Sequence, residues 1–415
     1  MFVPVRLGLA LALAFAPAWG LALTFDQAQA LAESQAPTLA AVRGRIEAAR
    51  HEVTPAGELP DPRLAVGVEN LPISGNDRFR VTREPMTMQR LQLTQEVPNH
   101  DKREARVALA RARVDRAQAE GAAATLLLRR ETALAWIRRH TVEQQLVRLG
   151  ALFEENRLFD AAVRARFAGA GAVDVVMPRQ EAAMLAERRD ELRMQRAQAI
   201  AALERWVGPP AAEPLAGEVP SWPLDRATLL HRLHGHPDLR AADSMAGELD
   251  AQLREAQAMK QPDWGVEVAY QRRGREFGDM VSVMLMVELP VFADRRQDPR
   301  IAARVAERAG IEAEREARAR EHAAMLDADL AEVERLDRAI ARQYDVVRPL
   351  ADERIELAMA AYRGGQGSLL DAIAARRDRV EAELKAIALE GERRTVAARL
   401  HYAYGENRSI EGGAR

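Results

Sequence analysis

Apolar and polar residues alternate along four short stretches of the chain. Leu64, Val66 and Val68 share one side of the first, and Leu91, Leu93 and Val97 share one side of the second. In the third, Trp264, Val266, Val268 and Tyr270 alternate with Gly265, Glu267, Ala269 and Gln271. In the fourth, Val281, Val283, Leu285, Val287 and Leu289 alternate with Ser282, Met284, Met286 and Glu288. A period of two with branched apolar residues on one side marks strands with unlike faces. We place them at about residues 63–71, 86–97, 264–272 and 280–289. Runs of about ten residues with one apolar face fit transmembrane barrel strands and also soluble hairpins with one buried face.

Between and beyond these stretches the pattern is helical. From about Asp101 to Arg166 no proline interrupts a helix-favouring sequence, enough for roughly 100 Å of helix. A second such run extends from about Pro299 to Tyr362, with Pro349 expected to kink it. Leu326, Leu330, Val333, Ile340, Tyr344, Val347 and Ala351 fall on spacings of four and three, with Asp337 as a misfit. Leu370, Ile373, Val380, Leu384 and Ile387 continue the rhythm after a turn, and Leu185, Leu192, Ala199 and Trp206 repeat it at sevens. These are coiled-coil seams. Each half thus holds one helix of about 65 residues and two of about 36, so that two short helices stacked end to end match one long one. A tube wall has use for that arithmetic, and a globular bundle does not.

The order of events is written twice. Phe25-Asp26-Gln27-Ala28 corresponds to Leu224-Asp225-Arg226-Ala227, Pro37-Thr38-Leu39 to Pro237-Asp238-Leu239, and Pro60-Asp61 to Pro262-Asp263. Glu96-Val97-Pro98 corresponds to Glu288-Leu289-Pro290, and Trp206-Val207-Gly208 to Ala403-Tyr404-Gly405, all at an offset of roughly 200 residues. We therefore read residues 23–208 and 224–405 as two structural repeats, joined by a Pro- and Gly-rich linker at 209–223 and followed by a flexible tail at 406–415. Residues 1–22 read as a cleaved signal peptide: Arg6 precedes the apolar run Leu7–Ala16, and small-x-small sites follow at Ala18-Trp19-Gly20 and Gly20-Leu21-Ala22.

Composition narrows the chemistry. The 415 residues carry a net charge of −2 and only 5% aromatics, which gives no sign of a nucleic-acid partner and suggests long helices packed through small side chains. Cysteine is absent, so thiol chemistry, disulfides and an N-terminal lipid on cysteine are excluded. No further stretch is long and apolar enough for a membrane helix, so any membrane entry would use strands. No Gly-x-Ser-x-Gly, His-Glu-x-x-His or phosphate-loop motif occurs. We expect no enzymatic activity and no cofactor.

Two glycine-rich turns separate the long helices from the short ones. They are Phe167-Ala168-Gly169-Ala170-Gly171 (tip at about 167–173) and Tyr362-Arg363-Gly364-Gly365-Gln366-Gly367 (tip at about 362–368). Asp174 and Asp371 follow them, where a carboxylate suits a helix N-terminus. His231, His234 and His236 cluster in sequence. His231 and His234 could share a helix face and offer two imidazoles to a metal, but nothing completes a recognisable ligand set, and we assign no metal site.

The signal segment, the duplicated helix–strand–strand–helix–helix order, the Glu-x-Pro corners and the aromatic–glycine tips together resemble the TolC-type outer-membrane efflux family, over essentially the whole mature chain. The stretch Val287-Glu288-Leu289-Pro290-Val291-Phe292, with Arg295-Arg296 and Pro299, is similar to its heavy-metal branch. The resemblance implies a mainly α protein with a small β part. Its helical hairpins would form a periplasmic tunnel, and its four strands would join those of two further copies in a twelve-stranded barrel. It implies a homotrimer in the outer membrane of a Gram-negative bacterium; family members often carry an N-terminal lipid, which this chain, having no cysteine, is expected to lack. Its partners would be a periplasmic adaptor and an inner-membrane resistance-nodulation-division pump, and its cargo heavy-metal cations. Leu64, Val66, Val68, Trp264, Val266, Val268, Val281, Val283 and Leu285 would face lipid. Phe167, Gly169, Gly171, Tyr362, Gly364, Gly365 and Gly367 would form adaptor-docking tips, and Asp371 with Asp174 a periplasmic gate. Ala374 stands where the family carries a second gate aspartate. The competing readings are a periplasmic helical-hairpin adaptor and a drug-exporting channel.

Overall fold

A computed structural model describes residues 22–166 and 172–404. The signal segment up to residue 21, the first-tip residues Phe167, Gly169 and Gly171, and the tail at 406–415 lie outside the described residues, as does the side chain of Asp174. In chain order the elements are α1 (Phe25–Gln35), α2 (Pro37–His51), α3 (Val53–Gly57), β1 (Arg63–Glu69), β2 (Met88–Val97), α4 (His100–Arg166) and α5 (Ala172–Val207). Then come α6 (Arg226–Leu233), α7 (Pro237–Ala258), β3 (Asp263–Arg272), β4 (Met280–Glu288), α8 (Ala293–Arg342), α9 (Arg348–Arg363) and α10 (Leu369–Tyr404). The chain is mostly helical with one small sheet. No described helix is long and apolar enough to cross a membrane.

The contacts group into two units. One contains the described residues up to Ala36 together with Leu128–Pro223 and Glu332–Arg399; the other contains Pro37–Leu127, Leu224–Ala331 and the chain from Leu400.

In the first unit the heptad positions Leu185, Leu192 and Ala199 are buried, and Val142, Leu149, Leu152, Val380 and Leu384 close over the first two. The last predicted position slips: Leu203 and Val207 are buried and Trp206 is not. A straight helix has 3.6 residues per turn, so a strict seven-residue repeat drifts off the contact face. Similarly, Leu326, Val333 and Leu336 are buried while Tyr344 and Val347 are exposed, and Leu369 takes the place expected of Leu370. The exposed pair lies in a π-helical turn, Gln343–Val347, just before Pro349. Arg348 N–H bonds to Gln343 O, five residues back. The wider turn absorbs a proline that has no N–H and would clash with the carbonyl four residues earlier. The expected kink is therefore a change of helical pitch. The preceding helix also begins at Ala293, ahead of Pro299, which sits inside it.

The 209–223 segment is well anchored. Leu23 pairs with Leu215, its N–H donating to Pro214 O at 2.7 Å. The fully buried Arg139 of α4 donates to Ala211 O and, at 2.7 Å, to Glu213 O, and pairs with Glu143 at 2.9 Å. Beside it, Trp136 packs edge-on against Phe25 and stacks on His140 at 5.0 Å.

In the second unit α7 is held by ion pairs: Glu248 to Arg113 and Arg116 of α4, and Asp243 and Asp250 to Arg315 and Arg308 of α8. Asn99 manages the change from β2 to α4. Its Oδ1 caps the helix at Lys102 N (2.8 Å), its Nδ2 donates to Ala258 O and Asp263 Oδ1, and its own N–H donates to Asp263 Oδ1. Pro98 ends the ladder just before it, and Pro290 stands in the same place after β4.

Arg139→Ala should leave the buried Ala211 carbonyl and the partly covered Glu213 carbonyl without their donor and cost roughly 1–3 kcal/mol, read as a lower urea midpoint. An unchanged midpoint would show that the segment is held by other contacts.

Candidate functional site

The four strands form one antiparallel sheet in the order β1-β2-β3-β4. Its register aligns the apolar positions: Val66 lies opposite Leu91, Leu91 opposite Tyr270, and Tyr270 opposite Val281. Likewise Leu64, Leu93, Val268 and Val283 run across the four strands, and Val266 faces Leu285. Directly opposed residues of antiparallel strands project to the same side. Leu64, Val66, Val68, Trp264, Val266, Val268, Val281, Val283 and Leu285 therefore all lie on one face. That face is solvent-accessible in the single chain, Val66 at 77% and Val283 at 72%.

The other face is polar and more enclosed. Arg90 pairs with both Glu69 and Glu267, Gln92 donates to Glu267 at 2.6 Å, and Gln271 to Ser282 at 3.0 Å. Glu267 is only 8% exposed and Gln271 5%. The sheet is thus inverted relative to a soluble one: its apolar side is bare, and on its polar side the β3 residues Glu267 and Gln271 are enclosed while those of β1 and β4 are mostly exposed. Both outer strands, β1 and β4, have an unpaired edge within the chain.

The described hairpin tip joins α9 to α10. Gly365 has φ +69°, and Gln366 N–H bonds to Ala361 O (3.0 Å) while Gly365 N–H bonds to Tyr362 O (3.2 Å). This is a Schellman stop, in which a left-handed residue lets the last carbonyls find donors. At Gly367 a Cβ would come within 2.8 Å of Ala361 Cβ. Gly364 and Gly365 are exposed, whereas Tyr362 packs beneath them with Leu369, Ile373, Met177 and Met359. Ser368 then starts α10 with a capping box: its Oγ accepts from Asp371 N (3.1 Å) and donates to Asp371 Oδ2 (2.7 Å).

Behind the tip lies a cavity of about 150 Å³ lined by Glu155, Glu181, Arg376, Arg377 and Arg379. Arg376 approaches Glu155 at 3.6 Å, and Arg379 pairs with Asp352 at 2.6 Å. Burial pushes the Glu181 carboxyl up and the Arg376 guanidinium down from their usual ranges. Among the described residues Glu181 Oε2 has no hydrogen-bond partner.

No family model and no curated protein matches the sequence. Solved structures do match. A membrane protein from Pseudomonas aeruginosa superposes with a TM-score of 0.77 at 18% identity, over 92% of this chain and 90% of its own. CusC, a protein described for transmembrane channel formation, gives 0.76 at 16% identity, covering 92% of each chain. The outer membrane protein VceC of Vibrio cholerae gives 0.72 at 19% identity, covering 92% of this chain and 96% of its own. The chain has the fold of the TolC-type outer-membrane channels.

On the TolC-type fold the sequence-picked residues separate into groups. The nine apolar strand residues are brought together, and Gly364, Gly365, Gly367 and Asp371 share one turn. Asp174 lies in the first turn of α5. His231 and His234 lie at the end of α6 and join no ligand cluster among the described residues. The histidine that gains partners is His236, which meets Asp238 and, from α8, His322. The i,i+3 spacing singles out His231 and His234, whereas His236 meets a residue distant in sequence, which no local spacing shows.

Glu181 carries a pH signature. Its folded pKa lies above the value of 4.5 for a free carboxyl. The stability it contributes is complete below that value and is lost as pH rises through the folded pKa. Glu181→Gln should therefore raise the melting temperature at neutral pH and leave it unchanged below about pH 4. A difference that is constant with pH would mean the carboxyl does not titrate there.

Proposed function

We propose that the chain is the outer-membrane duct of a tripartite efflux system, a passive conduit with no catalytic step of its own. The observation that carries this is the inverted sheet. An exposed apolar face suits lipid, and a polar, ion-paired face suits a water-filled lumen. Four strands with open edges cannot stand in a bilayer, since each unpaired backbone group there costs several kcal/mol. Three copies would close the edges into a twelve-stranded barrel. Exposed apolar residues on the helices, among them Val147, Leu158, Leu350 and Leu357, support burial by neighbouring copies.

In this reading Gly364, Gly365 and Gly367, with Phe167, Gly169 and Gly171 at the first tip, meet a periplasmic adaptor that links the duct to an inner-membrane resistance-nodulation-division pump. Asp371 and Asp174 supply a ring of carboxylates at the periplasmic mouth, where focused negative potential favours cations. The likeness of Val287–Phe292 to the heavy-metal branch supports metal cations as the cargo.

The assembly is tested in detergent and lipid. Mass measurement should give three chains per particle, and Val283→Arg should cost about 2–4 kcal/mol of barrel stability if it sits near the midplane. A stable folded monomer, or normal insertion of Val283→Arg, would overturn the barrel.

Function is tested in cells. Deleting the gene should raise sensitivity to cobalt, zinc, cadmium or copper. Wild-type protein should restore resistance, and Gly365→Trp should not, at equal outer-membrane abundance. Sensitivity to organic drugs alone would reassign the cargo, and full rescue by Gly365→Trp would remove the tip from the docking surface.

A further inference from the structure

His236, Asp238 and His322 bring two imidazoles and a carboxylate to one point, with their ligand atoms all within 4.8 Å of one another. His236 is the N-cap of α7, Asp238 lies in its first turn, and His322 comes from α8. The rings sit at a centroid distance of 3.9 Å. His236 Nδ1 lies 3.7 Å, and His322 Nε2 3.4 Å, from Asp238 Oδ2. In a tetrahedron with metal–ligand bonds near 2.1 Å, the ligand–ligand edge is about 3.4 Å. The two carboxylate–imidazole edges are therefore already close to that length, and the near-stacked rings must turn apart for both lone pairs to meet one ion.

The surroundings set the tautomer of His322. Tyr404 Oη donates its single proton to His322 O at 3.0 Å. At 3.3 Å from His322 Nδ1, the same oxygen is placed to accept from the Nδ1–H tautomer, which leaves the Nε2 lone pair on the Asp238 side. A histidine whose other nitrogen is held by a hydrogen bond is the usual support for a metal ligand.

His236 is buried, while Asp238 is half exposed and leaves a route for entry and for a water as fourth ligand. His236 Nδ1 accepts the Asp238 N–H at 3.1 Å as the helix cap. A cation would take over that lone pair, so cap and ion compete.

We propose that His236, Asp238 and His322 form a binding site for a divalent transition cation of the zinc class, which clamps the start of α7 to α8. Two imidazoles and one carboxylate suit zinc, and also cobalt, nickel and copper, far better than calcium or magnesium. The site shares no residue with the apolar sheet face or the hairpin tip. It does not depend on what the duct carries.

The test uses the full chain purified in detergent without a polyhistidine tag and stripped with a chelator. Equilibrium dialysis with Zn²⁺ should show one ion per chain. X-ray absorption of the zinc-loaded wild type should show two imidazoles and oxygen neighbours. Asp238→Asn should weaken binding by more than about tenfold, and Tyr404→Phe by about tenfold through loss of the orienting contact. His231→Asn should leave binding unchanged. Absence of stoichiometric uptake, a zinc shell lacking two imidazoles, or wild-type affinity in Asp238→Asn would each overturn the proposal. The absorption measurement needs no variant and decides the matter even if a substitution disturbs folding.

Discussion

The constraint that organises this protein is the backbone hydrogen bonding of a sheet whose apolar face points outward. In a soluble sheet the apolar side is covered and the polar side meets water. Here Glu267 and Gln271 are enclosed, and Val66, Val283 and Leu285 are bare. Arg90 is shared between Glu69 and Glu267, and Gln92 also donates to Glu267, so the polar side satisfies its own charges. Such a sheet leaves most of its apolar face unburied within the single chain. It also keeps two strand edges unpaired. Both facts suit further copies and lipid, and the number of copies proposed rests on the resemblance to the TolC-type family.

The strands were legible in the sequence because a period of two depends only on neighbouring residues. Trp264 through Tyr270 shows its faces without reference to any partner. The helical seams were harder to place. Leu185, Leu192 and Ala199 follow a seven-residue repeat, but α5 then drifts until Leu203 and Val207 replace Trp206 at the contact. In the second half a π-helical turn before Pro349 shifts the phase once more, which is why Tyr344 and Val347 face outward. Seams can be counted from sequence only while the pitch is constant, and a proline met by a wide turn breaks that condition.

The candidate sites divide along the same line. The tip turn was readable because Gly365 needs a left-handed backbone and its neighbours supply the bonding locally. The His236–Asp238–His322 group was not, since His322 lies two strands and a helix turn-back away in sequence. Only α7 packing on α8 brings it near. The buried anchor Arg139 was hidden for a related reason. Its partners are backbone carbonyls in a segment whose Pro- and Gly-rich composition suggests a loose linker.

The capping box at Ser368 bears on the proposed gate. A carboxylate on a free rotamer would spread its charge over several ångströms and contribute little to a selective mouth. Asp371 is held through Oδ2 by Ser368 Oγ at 2.7 Å, which fixes the rotamer and leaves Oδ1 to face solvent or a passing ion. The nearby Arg376 approaches Glu155, so its charge is engaged away from Asp371. The helix start therefore does two things at once. It terminates the turn that Gly365 begins, and it presents a carboxylate in a set position. Structural capping and a gating charge are thus compatible in one residue, and the order helix stop, glycine, capping serine, aspartate is the shortest way to place a negative charge beside a tip.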